Sequence, residues 1–298
     1  MTKQILGIHH VTAICSDAQR NLEFYSGVLG LRLVKRTVNF DDPGSYHLYY
    51  GDAAGHPGTI MTFFAWPGAE RGRIGSSQVG ATAFTIPADS VSYWSARLRE
   101  HGISFEGPFE RFGEPVLAFS DPDGMAVELV ASSSASGIHS ATLLESNSAT
   151  TAALLSETFG FKLIHKDGDR SRYALESSDP GSMVDVVESK SPVGRIAVGK
   201  IHHIAWRTPN DEQQLEWLKA LPKLGYHPSE VRDRVYFHSI YFREPGGILF
   251  EIATDPPGFA FDESLEELGS AIKLPPWLEG NRKQIEQVLP PLELPVRA

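Results

Sequence analysis

The sequence predicts an α+β fold assembled from four copies of one βαβββ module. Three observations predict it. The phrase GIHHVTAI at 7–14 returns as KIHHIAWR at 200–207. Weaker copies, VGATAFTI at 79–86 and GIHSATLL at 137–144, stand between them. After each phrase comes an amphipathic stretch that stops at a glycine, then further strand-like runs, the last preceded by a Pro/Gly turn.

Taken in order, the four phrases are β-branched and apolar and read as strands. In the first copy Asp17 caps a helix carrying Leu22, Phe24, Tyr25, Val28 and Leu29, which stops at Gly30. The second helix, SVSYWSARLREHG, ends at Gly102, and the third, SATTAALLSETFG, at Gly160. In the fourth, Asn210 or Asp211 caps a helix carrying Leu215, Trp217, Leu218 and Leu221 that ends near Gly225. Counting back 20 residues from the first three glycines gives His10, Thr82 and Ser140, and 22 from the last gives His203. Counting forward 26 from Gly102 and Gly225 gives Glu128 and Glu251. At the corresponding place the third copy offers Asp185 or Val186, and the first Thr62 or Phe63. The modules therefore span 1–67, 78–132, 137–188 and 200–256, joined by polar stretches at 68–77, 132–136 and 189–199. Residues 257–298 read as a C-terminal helical cap, with an acidic helix near 262–272 and a last helix near 280–288.

The 298 residues leave room for one large domain or two ordinary ones, and ample for a real core. With 41% hydrophobic and 21% charged residues the chain reads as an ordinary globular protein. Its 27 basic against 37 acidic residues give a net charge of −10 with no basic run, which argues against nucleic acid or an anionic membrane as partner. No apolar run approaches the ~18 residues that span a bilayer. The N-terminus lacks a signal-peptide pattern. Cys15 is the sole cysteine, which excludes an internal disulfide or thiolate metal cluster and suits a cytoplasmic location.

Over residues 7 to about 256 this arrangement resembles the vicinal oxygen chelate superfamily, whose βαβββ modules pair into half-open barrels around a metal. The superfamily includes glyoxalases, antibiotic-resistance proteins and extradiol ring-cleaving dioxygenases, and fold alone does not choose among them. The resemblance implies a ligand place on the first strand and another on the last strand of each module. If neighbouring modules pair, modules 1 and 2 supply only His10 and Glu128. Modules 3 and 4 supply His203 and Glu251, with Asp185 in an uncertain register. If module 1 pairs with module 4, and 2 with 3, one barrel gains His10, His203 and Glu251 and the other is metal-free. Two histidines and one carboxylate leave positions open for substrate and dioxygen, as in non-haem Fe(II) oxygenases; Mn(II) or Zn(II) suit the same donors. Four-ligand glyoxalase sites would need a further group where Thr62 stands. Neighbouring strand residues point to opposite faces; the resemblance favours the second histidine of each pair as ligand.

The stretch EVRDRVYFHSIYFREPGGILFEIAT, 230–254, resembles the hydroquinone-cleaving branch. The resemblance implies a site surrounded by His9, Thr12, His202, Arg234 and Tyr241. Thr12 shares a strand face with His10. An arginine can hold a phenolate, a tyrosine can donate to bound oxygen or a substrate hydroxyl, and a histidine can move the phenolic proton. Each also has a plain structural reading. Arg234 can pair with Asp233 or Glu230, Tyr241 can fill the core, and His9 and His202 can face the helix layer. Phe63, Phe250, Phe237 and Trp277 are the expected apolar walls. The implied activity is a non-haem iron ring-cleaving dioxygenase that opens hydroquinone-type rings and inserts both atoms of O2, in aromatic compound degradation or detoxification. Alternatives are a catechol-type extradiol dioxygenase, a glyoxalase-like lyase or isomerase, and a non-catalytic protein that binds small aromatics. Oligomeric state stays open, with a homo-oligomer through exposed sheet surface as one alternative.

Overall fold

The structure, a computed structural model, describes residues 3–294. In the first module β1 (Ile8–Cys15) leads into α1 (Ala18–Leu22), whose cap Asp17 accepts a hydrogen bond from the Arg20 amide. A π-helical turn, Glu23–Val28, carries the chain to Gly30 at φ +73°, where β2 (Arg32–Asn39), β3 (Asp42–Gly51) and β4 (Ile60–Ala65) follow. The second module comprises β5 (Gln78–Ile86), α2 (Val91–Glu100), β6 (Phe105–Arg111), β7 (Glu114–Ser120) and β8 (Ala126–Ala131). The third comprises β9 (Ile138–Glu145), α3 (Ser148–Ala153) with its own π turn, β10 (Lys162–Asp167), β11 (Arg170–Ala174) and β12 (Met183–Glu188). The fourth comprises β13 (Ile201–Thr208), α4 (Asp211–Ala220), β14 (Arg232–Asp233), β15 (Phe237–Arg243) and β16 (Leu249–Pro257). Asn210, not Asp211, is the cap of α4, accepting from the Gln213 amide.

The strands form two eight-stranded sheets. One runs β14-β15-β16-β13-β1-β4-β3-β2 and joins module 4 to module 1; the other runs β10-β11-β12-β9-β5-β8-β7-β6 and joins module 3 to module 2. The pairing is the one that the ligand count anticipated. The seams are antiparallel: β1 meets β13 with His10 opposite Ala205 and Thr12 opposite His203. At β5 and β9, Ala81 stands opposite Thr142 and Ala83 opposite Ser140. The counterpart of His10 in module 2 is therefore Ala81, and the expectation of Thr82 is off by one. Module 2 spends two more residues between its strand end, Ile86, and its helix cap, Ser90, than module 1 does between Cys15 and Asp17, while its helix lacks the extra residue of a π turn.

Register also settles the last strands. Glu251 is opposite Ala205, two residues past His203; Thr62 is opposite Thr12 and Asp185 opposite Thr142. So Thr62 rather than Phe63, and Asp185 rather than Val186, match Glu251. In the second sheet arginines answer the carboxylates. Arg111 grips Glu128 with both terminal nitrogens (2.5 and 2.9 Å), and Arg170 and Arg172 hold Asp185 at 2.7 Å each. The buried Arg172 also reaches Glu114 at 2.8 Å.

Two further expectations change. Leu215 is 44% exposed. Helix α4 packs through Trp217 and Gln214 instead, with Leu221 buried at its C-cap, and Gln214 donates to the carbonyls of His238 and Ile252. The stretch 262–272 is not a helix: a 3-10 turn at Phe259–Phe261 gives way to turns. Two of the acidic side chains of that stretch turn inward. Asp262 (2.5 Å) and Glu263 both clamp the fully buried ammonium of Lys35. Beyond them the Lys273 amide donates to the Arg36 carbonyl, which covers the outer edge of β2. A last helix, α5 (Arg282–Val288), follows. Among the described residues no helix is long and apolar enough to cross a membrane.

Where modules 3 and 4 touch, Glu145 at the end of β9 faces Glu244 in the turn before β16. Glu244 accepts from the Thr151 hydroxyl (2.7 Å) and the Ile248 amide (2.9 Å), whereas both Glu145 oxygens are buried without a donor. Burial, then the Glu244 charge, pushes the Glu145 carboxyl well above the usual range. A raised carboxyl pKa gives stability that is complete below the unfolded value and is lost as pH climbs through the folded one. Stability should therefore fall between about pH 5 and 9. Glu145→Gln, measured by chemical denaturation across that range, is expected to flatten the decline.

Candidate active site

The first sheet encloses a cavity of about 330 Å³ against its β1–β13 seam. His10 comes from β1, His203 from β13 and Glu251 from β16, and all three are buried. One ligand atom from each lies within 4.8 Å of the others. Glu251 Oε2 is 2.9 Å from His203 Nε2 and 3.4 Å from His10 Nε2. Its partner oxygen, Oε1, accepts from Ser239 Oγ at 2.5 Å. Oε2 is buried and accepts no hydrogen bond of proper geometry. A carboxylate oxygen in that condition is costly unless a cation answers it. Metal bonds of about 2.0–2.2 Å set neighbouring ligand atoms roughly 3 Å apart, which these separations match. The donor set fits a divalent transition metal.

Electrostatics point the same way. Burial raises the Glu251 pKa, but His10 and His203 outweigh it and hold the carboxyl well below the usual range. Burial lowers the pKa of His203 against the opposing pull of Glu251. The site thus combines an ionised carboxylate with a neutral imidazole, the form in which each ligates.

The pleat had argued that His9 and His202 point away from their neighbours. Two β-bulges overturn that argument. On β1 the register slips between Ile8 and His10, and on β13 across His202, so each HH pair carries one extra residue. His9 Nδ1 lies 2.9 Å from His10 Nδ1, and His202 Nδ1 lies 2.8 Å from His203 Nδ1. With Nε2 of His10 and His203 facing Glu251, their Nδ1–H groups donate to these neighbours and the ring orientation is fixed. His9 is buried beside Phe237 and bonds the Thr254 backbone. His202 lines the cavity, and burial, then His203, pushes its pKa down to about 3.

Tyr241 stands directly opposite Glu251 on β15, which explains their ten-residue spacing as a hairpin. Its hydroxyl accepts from Arg234 Nε at 3.1 Å. Arg234 pairs with Asp41 at 3.0 Å, not with Asp233 or Glu230. It is presented by a turn in which Val235 takes φ +68°, an uncommon conformation for a β-branched residue. Burial, then Glu251, raises the Tyr241 pKa, so the phenol stays protonated. Thr12 also lines the cavity.

Of the expected walls only Phe237 reaches the cavity. Phe63 and Phe250 pack on the helix side, against Tyr25 and Trp206. Trp277 is 52% exposed and meets Phe40 instead. The apolar lining is completed by Phe40, Phe64, Trp66 and Leu249. Sequence reasoning missed His47, Tyr49, Asp41 and Ser239. The signal available was alternation: His47 and Tyr49 are two apart on β3 and share a face.

A family model described as the Glyoxalase/Bleomycin resistance protein/Dioxygenase superfamily matches residues 7–129 and 137–252. The chain is 46% identical over 310 residues to the Bacillus subtilis protein named "Putative ring-cleaving dioxygenase MhqO", covering 99% of both. It is 31% identical to a chlorohydroquinone/hydroquinone 1,2-dioxygenase of Sphingobium indicum, covering 96% of both. A Bacillus subtilis crystal structure described as a "putative dioxygenase" superposes with a TM-score of 0.95 at 45% identity over 99% of both chains. Glyoxalase I from Zea mays superposes with a TM-score of 0.65 at 16% identity over 84% of this chain and 92% of its own, a likeness of fold.

Metal binding should stabilise the folded chain. At free metal of about 100 times Kd the gain is about 2.7 kcal/mol. A thermal melt with and without Fe(II) under nitrogen should show the rise in wild type, and His203→Ala and Glu251→Gln should lose it.

Proposed function

The chain belongs to the glyoxalase/bleomycin resistance protein/dioxygenase superfamily, and we propose that within it the protein is an Fe(II)-dependent dioxygenase that opens hydroquinone-type rings. The observation that carries this reading is a buried two-histidine, one-carboxylate cluster sharing one small cavity with the Arg234–Tyr241 pair. His10, His203 and Glu251 are the proposed ligands. Fe(II) held there, with Mn(II) as the other candidate, supplies a centre through which an electron-rich ring and triplet dioxygen exchange electrons.

The rest falls to the side chains. Arg234 keeps its charge and donates toward a phenolate oxygen, and Tyr241 adds a neutral O–H beside it. His202 accepts at Nδ1 from His203, so its Nε2–H is a donor on the cavity wall. His9 takes the equivalent place behind His10 but spends its second nitrogen on the Thr254 backbone, so it orients and does not touch substrate. Phe237, Phe64 and Trp66 hold a flat ring and exclude water. The proposed reaction places both atoms of O2 in a product opened between the hydroxyl-bearing carbon and its ortho neighbour. The two hydroxyls of a hydroquinone are para, so one reaches the metal and the other lies across the ring. A four-ligand lyase site is disfavoured by Thr62, whose hydroxyl is already engaged by His47 and Thr12.

Oxygen uptake by anaerobically Fe(II)-loaded protein, with hydroquinone and catechol side by side, tests the reading. Uptake with hydroquinone that disappears in His203→Ala is expected. Uptake with catechol alone would replace the substrate class, and none with either would sink the assignment. Arg234→Met should lower kcat/KM about 10- to 100-fold, the worth of one charge-assisted hydrogen bond.

A further inference from the structure

Along one wall of the cavity, four polar side chains form a single line, of which Thr12, His47 and Tyr49 line the cavity and Thr62 lies behind it. The Tyr49 hydroxyl is 2.9 Å from His47 Nδ1, and His47 Nε2 is 2.7 Å from Thr62 Oγ1. Thr62 Oγ1 in turn donates to Thr12 Oγ1 at 3.1 Å. The last link sets the direction of all the others. A hydroxyl carries one hydrogen. Thr62 gives its hydrogen to Thr12, so it accepts from His47, and the His47 hydrogen sits on Nε2. Nδ1 is then a bare acceptor, and the Tyr49 hydroxyl donates to it. At the far end Thr12 has accepted, which leaves its own hydrogen for the cavity that it lines. Thr12 lies two residues along β1 from His10 and opposite His203.

The His47 ring is well held for this purpose. It packs between Tyr49 and Phe64, with centroids 4.1 and 4.4 Å away, and it is half-buried at the cavity wall. Reversing the line would turn the Thr12 hydrogen toward Thr62 and present lone pairs to an anionic oxygen in the cavity. The difference between a donor and an acceptor at that place is one of sign, not degree.

We propose that His47, backed by Tyr49, is a positioning residue that acts through Thr62 to keep the Thr12 hydroxyl a donor into the active site. The target of that donor rests on the ring-cleaving reading; the direction of the line does not.

Two measurements test the proposal. In the full-length, metal-free protein labelled with ¹⁵N-histidine, His47 should show a protonated Nε2 and a bare Nδ1. A hydrogen on Nδ1 would overturn the proposal whatever the protein catalyses. In the Fe(II)-loaded enzyme, Thr62→Val should lower kcat about tenfold with KM little changed, and Thr62→Ser should restore it. In a Thr12→Val background Thr62→Val should cost nothing more. Additive losses, or a serine variant as impaired as the valine one, would contradict the mechanism. If the wild type opened no ring at all, the proposed function would fail while the nitrogen spectrum still decided the direction of the line.

Discussion

Strands β1 and β13 pair antiparallel with Thr12 opposite His203, and the geometry of the site depends on that seam. It joins the first module to the last across the whole intervening chain. A slip of one residue would turn each side chain to the other face and take an imidazole away from Glu251. The core guards against it. Ile8, Val11, Ala13, Ile204 and Trp206 are buried, and the aromatic cluster of Trp206, Phe250, Phe159 and Phe161 locks them from the helix side. The two bulges, one per strand, fit into this frame as a matched pair. Each inserts a second imidazole beside the first without moving the apolar residues that set the register.

The second sheet repeats the architecture without the chemistry. Its seam carries Ala81 and Ser140 where the first carries His10 and His203, and its own bulges fall at Gly80 and His139. It retains buried carboxylates, Glu128 and Asp185, but meets them with Arg111, Arg170 and Arg172. A buried ionised carboxylate is costly unless a cation answers it. In the second sheet guanidinium groups do so; in the first, Glu251 Oε2 has no such partner, and the proposed metal would take that place.

The module repeat, the strand phrases and the pairing of modules 1 and 4 were legible because ligand type and glycine stops both recur at fixed intervals. The one-residue error at Thr82 arose because module 2 has a strand-to-helix loop two residues longer and a helix one residue shorter for want of a π turn, differences that leave no mark on an apolar pattern. The faces of His9 and His202 were illegible for a related reason: alternation assumes an unbroken pleat, and a bulge breaks it. The inward turn of Asp262 and Glu263 depends on Lys35, more than two hundred residues away, which local reading does not reach. His47 escaped notice because it belongs to no repeated phrase; its importance lies in a hydrogen-bond line that crosses three strands.

The proposed reaction opens an aromatic ring in this cavity with both atoms of dioxygen. Mass spectrometry of the product formed from hydroquinone under ¹⁸O2 tests it most directly. With the aldehyde reduced by borohydride as it forms, before its oxygen exchanges with water, a ring-opened acid carrying two labelled oxygens is expected. One labelled oxygen or none after that trapping, or an intact quinone, would overturn ring opening by dioxygen.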